Sequence, residues 1–98
     1  MARVLSAARV RVAAGAEPAW LGTAGMLASR LAARGQHFWV FRNRTDARVL
    51  LAFREGASPA ELAPANEAER SLHGRLHSLG AYEGDDDIWE AVALPAGE

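Results

Sequence analysis

The feature that most constrains the fold is a pair of apolar segments between Gln36 and Glu55, joined by a short polar link. The segments read Gln-His-Phe-Trp-Val-Phe-Arg and Ala-Arg-Val-Leu-Leu-Ala-Phe-Arg-Glu, and the link reads Asn-Arg-Thr-Asp. Aromatic and β-branched residues on either side of a turn-forming link predict a β-hairpin. Neither segment has a polar face, although a sheet covered on one side usually alternates apolar with polar residues. We therefore expect helices on one side of this hairpin and a second copy of the chain on the other.

Pairing of Asn43 with a residue near Arg48 predicts which side chains share a face of the hairpin. One face would then carry Phe38, Val40, Val49, Leu51 and Phe53. The other would carry His37, Trp39, Phe41, Leu50, Ala52 and Arg54.

The second of these faces holds the candidate site residues. If it lines a pocket, Trp39 and Phe41 give aromatic walls, and Trp20 is a further ligand-binding candidate. Arg54 could anchor a carboxylate or phenolate, and His37 could move a proton near neutral pH, so these two are the catalytic candidates. The alternative is a dimer interface, with the aromatic residues in its core and His37 and Arg54 at its rim, because interfaces are enriched in aromatic residues and arginine.

The 98 residues predict a single domain over residues 1–98. A chain of this length buries only roughly 60–65% of the surface that its unfolded form exposes, so association would add stability. Without cysteine it can form no disulfide. No run of about 18 apolar residues suggests a membrane span, and Arg9 and Arg11 interrupt any secretory signal. The arginine-bearing amino terminus superficially suits a transit peptide, but we expect a soluble cytoplasmic protein with no membrane partner.

Charge is divided unevenly along the chain. Residues 1–54 carry nine arginines and two acids, whereas residues 55–98 carry two arginines and ten acids, which gives the net charge of −1. Separated charge in a neutral domain indicates two halves that pair their surfaces. A basic face for nucleic acid is the alternative, but such proteins usually have a net positive charge, so no nucleic-acid partner is expected.

The order of predicted elements begins with a strand from Val4 to Val12, although the alanines within it also suit a helix. A helix follows from about Pro18 to Arg34, with an apolar stripe at three- and four-residue intervals and Gly35 after its end. Beyond the hairpin, the sequence Ser-Pro-Ala-Glu at residues 58–61 is a capping-box pattern, and Pro64 limits that helix to about one turn.

The last third of the chain predicts a longer helix and a final strand. Asn66 or a neighbour caps the helix, which runs through Leu79 and is closed by Gly80. An acidic loop covers residues 83–87, and the strand runs from Ile88 to Leu94. The resulting order, β-α-β-β-α-β, is the ferredoxin-like α+β arrangement, in which two helices cover one face of a four-stranded antiparallel sheet. The first and last strands are then neighbours, so Arg9 or Arg11 could face Glu90.

From Gly35 to Leu62 the chain resembles the dimeric α+β-barrel proteins, especially the antibiotic-biosynthesis-monooxygenase-like group. The shared features are the strand Phe38 to Arg42, the polar link, the apolar strand that ends in Glu55, and the short helix after it. The resemblance implies a homodimer whose sheets pack face to face, and activity as a cofactor-independent oxygenase of aromatic substrates; some relatives degrade haem. Many members also carry a histidine shortly after the glutamate-ended strand, where this chain has the segment 61–65 with none.

Three other chemistries have weaker support in the sequence. His73 and His77 share a helix face with Glu69 and could hold a divalent metal, but a solvated polar face explains the same residues and is favoured. The acidic residues 85–87 lack the ligand spacing of a calcium loop. The third strand offers one aromatic and no glycine, unlike RNA-recognition modules. We therefore expect no metal or cofactor, and a homodimer that binds a small, largely apolar molecule between helices and sheet, with a cofactor-independent monooxygenase as the alternative.

Overall fold

The computed structural model describes residues 3–97, which form an antiparallel sheet and two α-helices. The elements are β1 (Val4–Val12), α1 (Glu17–Ala32), β2 (His37–Arg42), β3 (Val49–Gly56), a 3₁₀ turn (Pro59–Leu62), α2 (Glu67–Ser78), β4 (Gly80–Glu83) and β5 (Ile88–Glu90). The strand order is β2-β3-β1-β4, and β5 pairs with the other end of β1. This confirms the predicted ferredoxin-like α+β class.

The final edge of the sheet differs from the prediction, because two short strands replace one. Gly80 lies just after α2 and is the first residue of β4, where it pairs with Val12 of β1. A Cβ at Gly80 would lie 2.9 Å from Cγ1 of Val10, so the close approach of these strands needs glycine there. The chain then turns at Gly84, where φ is 81°, before β5. The predicted strand Ile88–Leu94 is too long, because β5 ends at Glu90, and the strand Gly80–Glu83 was not predicted.

The predicted pairing of Arg9 or Arg11 with Glu90 is wrong. Glu90 lies opposite Val4, at the far end of β1. Arg9 instead lies opposite Glu83, and the side chain of Arg11 donates to Asp46 at 3.1 Å. The first and last strands are neighbours as expected, but the interruption between β4 and β5 changes which residues meet.

The hairpin forms, but its register differs from the predicted one. Asn43 donates its backbone N–H to Val49 rather than pairing near Arg48, and its Oδ1 accepts from the backbone N–H groups of Thr45 and Asp46. The link is therefore longer than predicted. Since side chains alternate along a strand, this one-residue change exchanges the faces of β3. The helix-covered face carries Phe38, Val40, Leu50, Ala52 and Arg54, and the open face carries His37, Trp39, Phe41, Leu51, Phe53 and Glu55.

The helices begin and end largely where the sequence predicts. The apolar stripe of α1 is buried against the sheet, and Gly35 leaves the helix with φ of 74°. Asn66 caps α2 by accepting from the backbone N–H of Glu69 at 2.9 Å. The capping box at Ser58 does not form, because the carboxylate of Glu61 accepts from the backbone N–H of Ala57 instead.

The core lies between the sheet and the two helices. Its buried residues are Ala8, Val10, Val12, Trp20, Ala24, Leu27, Leu31, Leu50, Ala52 and Leu76. The opposite, open face of the sheet exposes large apolar side chains, including Trp39 at 44%, Phe41 at 58% and Trp89 at 57%. Neither of the described helices is both long and apolar enough to cross a membrane.

Candidate functional site

The helix-side cavity is a space of about 390 Å³ between the sheet and α2. The cavity exists because the sheet contributes small side chains to its wall, Ala8 on β1 and Ala52 on β3, where larger residues would fill the space. Its wall residues include Phe38, Arg54, His73, Leu76, Tyr82 and Ile88. The 3₁₀ turn and Pro64 close one side of it. It is therefore a largely apolar space into which a few polar groups project.

Arg54 is the most buried polar group in this wall, with 3% of its surface exposed. Its Nη2 donates to the backbone carbonyl oxygens of Glu61 at 2.9 Å and Ala63 at 3.2 Å, which fixes the segment between the 3₁₀ turn and α2. Its Nε is buried without a hydrogen-bond partner among residues 3–97. Burial lowers the pKa of Arg54, but the ordinary value is so high that the guanidinium stays charged.

Glu69 is the buried carboxylate behind this arginine. Both of its oxygens lie 2.7 Å from Nη2 of Arg34, and one also accepts from the backbone N–H of Ala65 at 3.2 Å. The same carboxylate is 3.7 Å from Nη2 of Arg54. Its main partner is thus Arg34, which follows α1, and not the arginine in the cavity wall.

His73 stands on α2 next to Arg54, with its Nε2 2.5 Å from Nη1. A guanidinium has no acceptor, so Nε2 accepts the hydrogen bond and the ring proton is on Nδ1. Burial, and then the charge of Arg54, lower the pKa of His73 from 6.5 to about 4. The imidazole is therefore neutral at neutral pH.

The mouth of the cavity is formed by His77, Tyr82 and the acidic turn after β4. His77 stacks on Tyr82 with ring centres 3.9 Å apart, and its Nδ1 donates to the carbonyl oxygen of His73. Its Nε2 lies 3.1 Å from a carboxylate oxygen of Asp85. Burial raises the pKa of Tyr82 to about 12, so its hydroxyl remains a hydrogen-bond donor. Asp86 also borders the opening.

The structure separates the residues that the sequence grouped. Of the five predicted site residues, Arg54 lies in the helix-side cavity. His37, Trp39 and Phe41 lie on the opposite face of the sheet, so the predicted grouping of His37 and Trp39 with Arg54 is wrong. Trp20 is fully buried in the core. The functional roles proposed for all five remain predictions.

Sequence reasoning missed the contribution of His73, Tyr82 and Phe38 to this cavity. The spacing that places His73 and His77 on one face of α2 predicts a metal site or a solvated face, and it does not indicate a contact with the cavity. Their actual partners are Arg54 for His73 and Asp85 for His77. Within residues 3–97, no group of three or more histidine and acidic side chains is placed to hold a metal ion.

A second group of polar residues borders the open face. Glu55 accepts from Arg3 at 3.0 Å and lies 2.6 Å from Nδ1 of His37, which stacks on Trp39 with ring centres 5.1 Å apart. Hydrogen bonds from Arg3 and then His37 lower the pKa of Glu55. A space of about 280 Å³ lies between Trp39 and Trp89 beside this group.

Fold and cavity together define a ferredoxin-like α+β protein with a cavity between the sheet and the second helix. No family model and no curated protein matches the sequence. Solved structures do match, and among them is a conserved protein of unknown function from Bacteroides thetaiotaomicron, with 15% identity, 92% of this chain and 98% of that chain covered, and a TM-score of 0.78.

Another is SnoaB, a cofactor-independent oxygenase from Streptomyces nogalater, with 16% identity, 98% and 97% of the two chains covered, and a TM-score of 0.73. A third is an antibiotic biosynthesis monooxygenase, with 17% identity, 97% and 100% covered, and a TM-score of 0.70. The chain therefore has the fold of the antibiotic-biosynthesis-monooxygenase-like proteins. At these identities the similarity concerns the fold alone.

Proposed function

We propose that the protein binds a small, largely apolar or aromatic molecule in the helix-side cavity. The observation that carries this proposal is the cavity itself, because about 390 Å³ is within the range of small-molecule pockets. Its walls combine aromatic and aliphatic surface from Phe38, Leu76 and Tyr82 with the buried guanidinium of Arg54 and the half-buried imidazole of His73. Apolar walls with a few fixed polar groups are typical of ligand sites.

The test compares two alanines near each other in the chain. Ala63 borders the cavity and Ala65 does not, and both are exposed, so a tryptophan should be tolerated at either position. We expect Ala63→Trp to abolish the chemical-shift changes that a panel of two-ring aromatic compounds causes in α2 and β3. Ala65→Trp should leave them unchanged. Binding that survives Ala63→Trp would place the ligand elsewhere.

A cofactor-independent monooxygenase acting on aromatic substrates is the second candidate function. It is supported by the fold shared with SnoaB, a cofactor-independent oxygenase, and by the cationic group of Arg54 in the cavity wall. A buried cation can stabilise the oxyanion that forms when a hydroquinone loses a proton. Oxygen uptake with hydroquinones in the absence of added cofactor tests this activity. We expect Arg54→Gln to abolish uptake, whereas loss in His37→Gln alone would assign the chemistry to the open face.

Homodimer formation through the open face is a further part of the proposal. Trp39, Phe41 and Trp89 expose large apolar areas on one side of the sheet, and such contiguous patches mark interaction sites. A second copy packed face to face would cover them and add the buried surface that a chain of this length lacks. We also propose a cytoplasmic location, with no nucleic-acid or membrane partner.

A further inference from the structure

We infer that the helix-side cavity takes its ligand as an anion, with one carboxylate, phenolate or enolate oxygen placed against Arg54. This inference rests on the proposed function, because it names the class of molecule that the same cavity would bind. Three observations carry it: the pairing of the buried charges of Arg54 and Glu69, an unused hydrogen-bond donor on Arg54, and the tautomer of the neighbouring His73.

Two almost completely buried charges beside the cavity, those of Arg54 and Glu69, are not hydrogen-bonded to each other. Two guanidinium groups, those of Arg34 and Arg54, share the one buried carboxylate of Glu69. That carboxylate contacts Arg34 at 2.7 Å and is 3.7 Å from Arg54. Glu69 takes its short hydrogen bonds from Arg34, whose side chain is partly exposed to solvent. Among residues 3–97, the buried guanidinium of Arg54 is therefore left beside a neutral His73 and without a hydrogen-bonded carboxylate. A buried charge is normally paired, so a negative ligand would supply the missing partner.

Arg54 also has a donor that the protein does not use. Its Nη1 donates to His73 and its Nη2 to two backbone carbonyl groups, but Nε finds no acceptor in the part of the chain that the structure describes. Buried N–H groups are rarely left without a partner. Since this side chain lines the cavity, an acceptor oxygen of a ligand there could complete its hydrogen bonds.

His73 presents a donor as well. Because Nε2 accepts from Arg54, the ring can donate through Nδ1 but cannot take a proton at the nitrogen that faces the guanidinium. The pair therefore offers positive charge and N–H groups rather than a general base. Such a pair suits an oxygen that already carries negative charge.

The acidic rim of the cavity opposes this preference only at the opening. Asp85 and Asp86 are both exposed, so their charges are screened by solvent. The cation of Arg54 lies deeper, where screening is weak. We therefore expect the ligand to enter with its anionic group towards Arg54 and to leave its uncharged end at the rim.

The first experiment uses a pair of probes that differ in charge and little in shape, 2-naphthoate and 2-naphthamide. Nitrogen-15 NMR follows the Nε–H resonance of Arg54 in the wild-type protein during titration with each. We expect naphthoate to shift this resonance downfield and to bind at least about tenfold more tightly than the amide. The Nε–H of Arg48, which already donates to the carbonyl oxygen of Val12, is the internal control and should not move.

The second experiment changes the charge balance without touching the cavity. In Arg34→Met, Glu69 can pair with Arg54 alone, so the preference for naphthoate over naphthamide should fall to nearly one. Arg30→Met removes an exposed arginine from the last turn of α1 and should keep the preference. Equal affinity of the two probes for the wild-type protein, or binding of neutral aromatics without naphthoate, would overturn the inference but not the cavity function. If no aromatic compound binds, both proposals are wrong.

Discussion

The protonation of His73 gives a prediction about stability that depends on pH. The pKa of His73 is about 4 in the folded protein, against an ordinary value of 6.5, because the ring is half-buried and lies next to the charge of Arg54. Each pKa unit corresponds to about 1.4 kcal/mol, so the full shift would be about 3 kcal/mol. The ring remains partly exposed, and solvent screening reduces this to about 1 to 2 kcal/mol.

The sign of the effect follows from proton uptake. Between pH 6.5 and about pH 4, the unfolded chain binds a proton at His73 that the folded protein does not bind. The free energy of unfolding must therefore decrease as the pH falls through this window. Above the window both states have a neutral ring and below it both are charged, so His73 adds no further slope there.

Urea denaturation of the wild-type protein and of His73→Gln, at fixed protein concentration from about pH 7.5 to about pH 4.5, measures this contribution. Glutamine keeps an acceptor oxygen for Arg54 but does not titrate, and the other ionisable groups are present in both proteins. We expect the wild-type protein to lose about 1 to 2 kcal/mol more than the variant over this range. Parallel stability curves for the two proteins would refute the argument that burial keeps His73 neutral.

Further predictions concern the backbone, a helix cap and the open face. Gly35→Ala should destabilise the protein by about 1 kcal/mol, because φ at this residue is 74°. Gly74→Ala should stabilise it by about 0.8 kcal/mol, because alanine favours a helix and the added carbon meets no neighbouring side chain within 4 Å. Thermal unfolding should therefore shift in opposite directions for the two variants. Asn66→Ala should lower the free energy of unfolding by about 1 kcal/mol through loss of the cap of α2. Hydrogen-exchange protection of the first-turn amides of α2 that equals the wild-type value would contradict this. Trp39→Ala should weaken the proposed dimer in sedimentation velocity more than Met26→Ala, a change at a more exposed helix position. A Trp39→Ala variant that stays dimeric at nanomolar concentration would exclude Trp39 from the interface.

The sequence was sufficient for the element order because each element depends on local signals. Apolar periodicity defined α1, and the Asn66 cap defined the beginning of α2. The signals failed where one residue has two roles. Gly80 ends a helix region and also starts a strand that packs closely on β1, and only the tertiary contact with Val10 reveals the second role.

The candidate site was harder to predict than the fold because it depends on register. Asn43 pairs with Val49, and this one-residue difference moves Arg54 from the face of His37 to the face of the helices. Apolar pattern cannot decide the matter, since both faces of the hairpin are apolar. The partners that give Arg54 its chemistry, Glu69 and His73, lie on a helix that begins more than ten residues later in the chain, so their proximity is a product of the folded structure.

The corrected register places the proposed ligand site and the proposed dimer interface on opposite faces of one sheet. Arg54 and Trp39 lie on neighbouring strands, yet their side chains point to opposite sides, one into the helix-side cavity and the other onto the open face. Substitutions at sites with no shared partners usually have additive effects. Loss of Arg54 should therefore change the affinity for naphthoate and leave association intact, and loss of Trp39 should do the reverse. If either substitution changes both properties together, the sheet couples the two faces and the division of roles proposed for them does not hold.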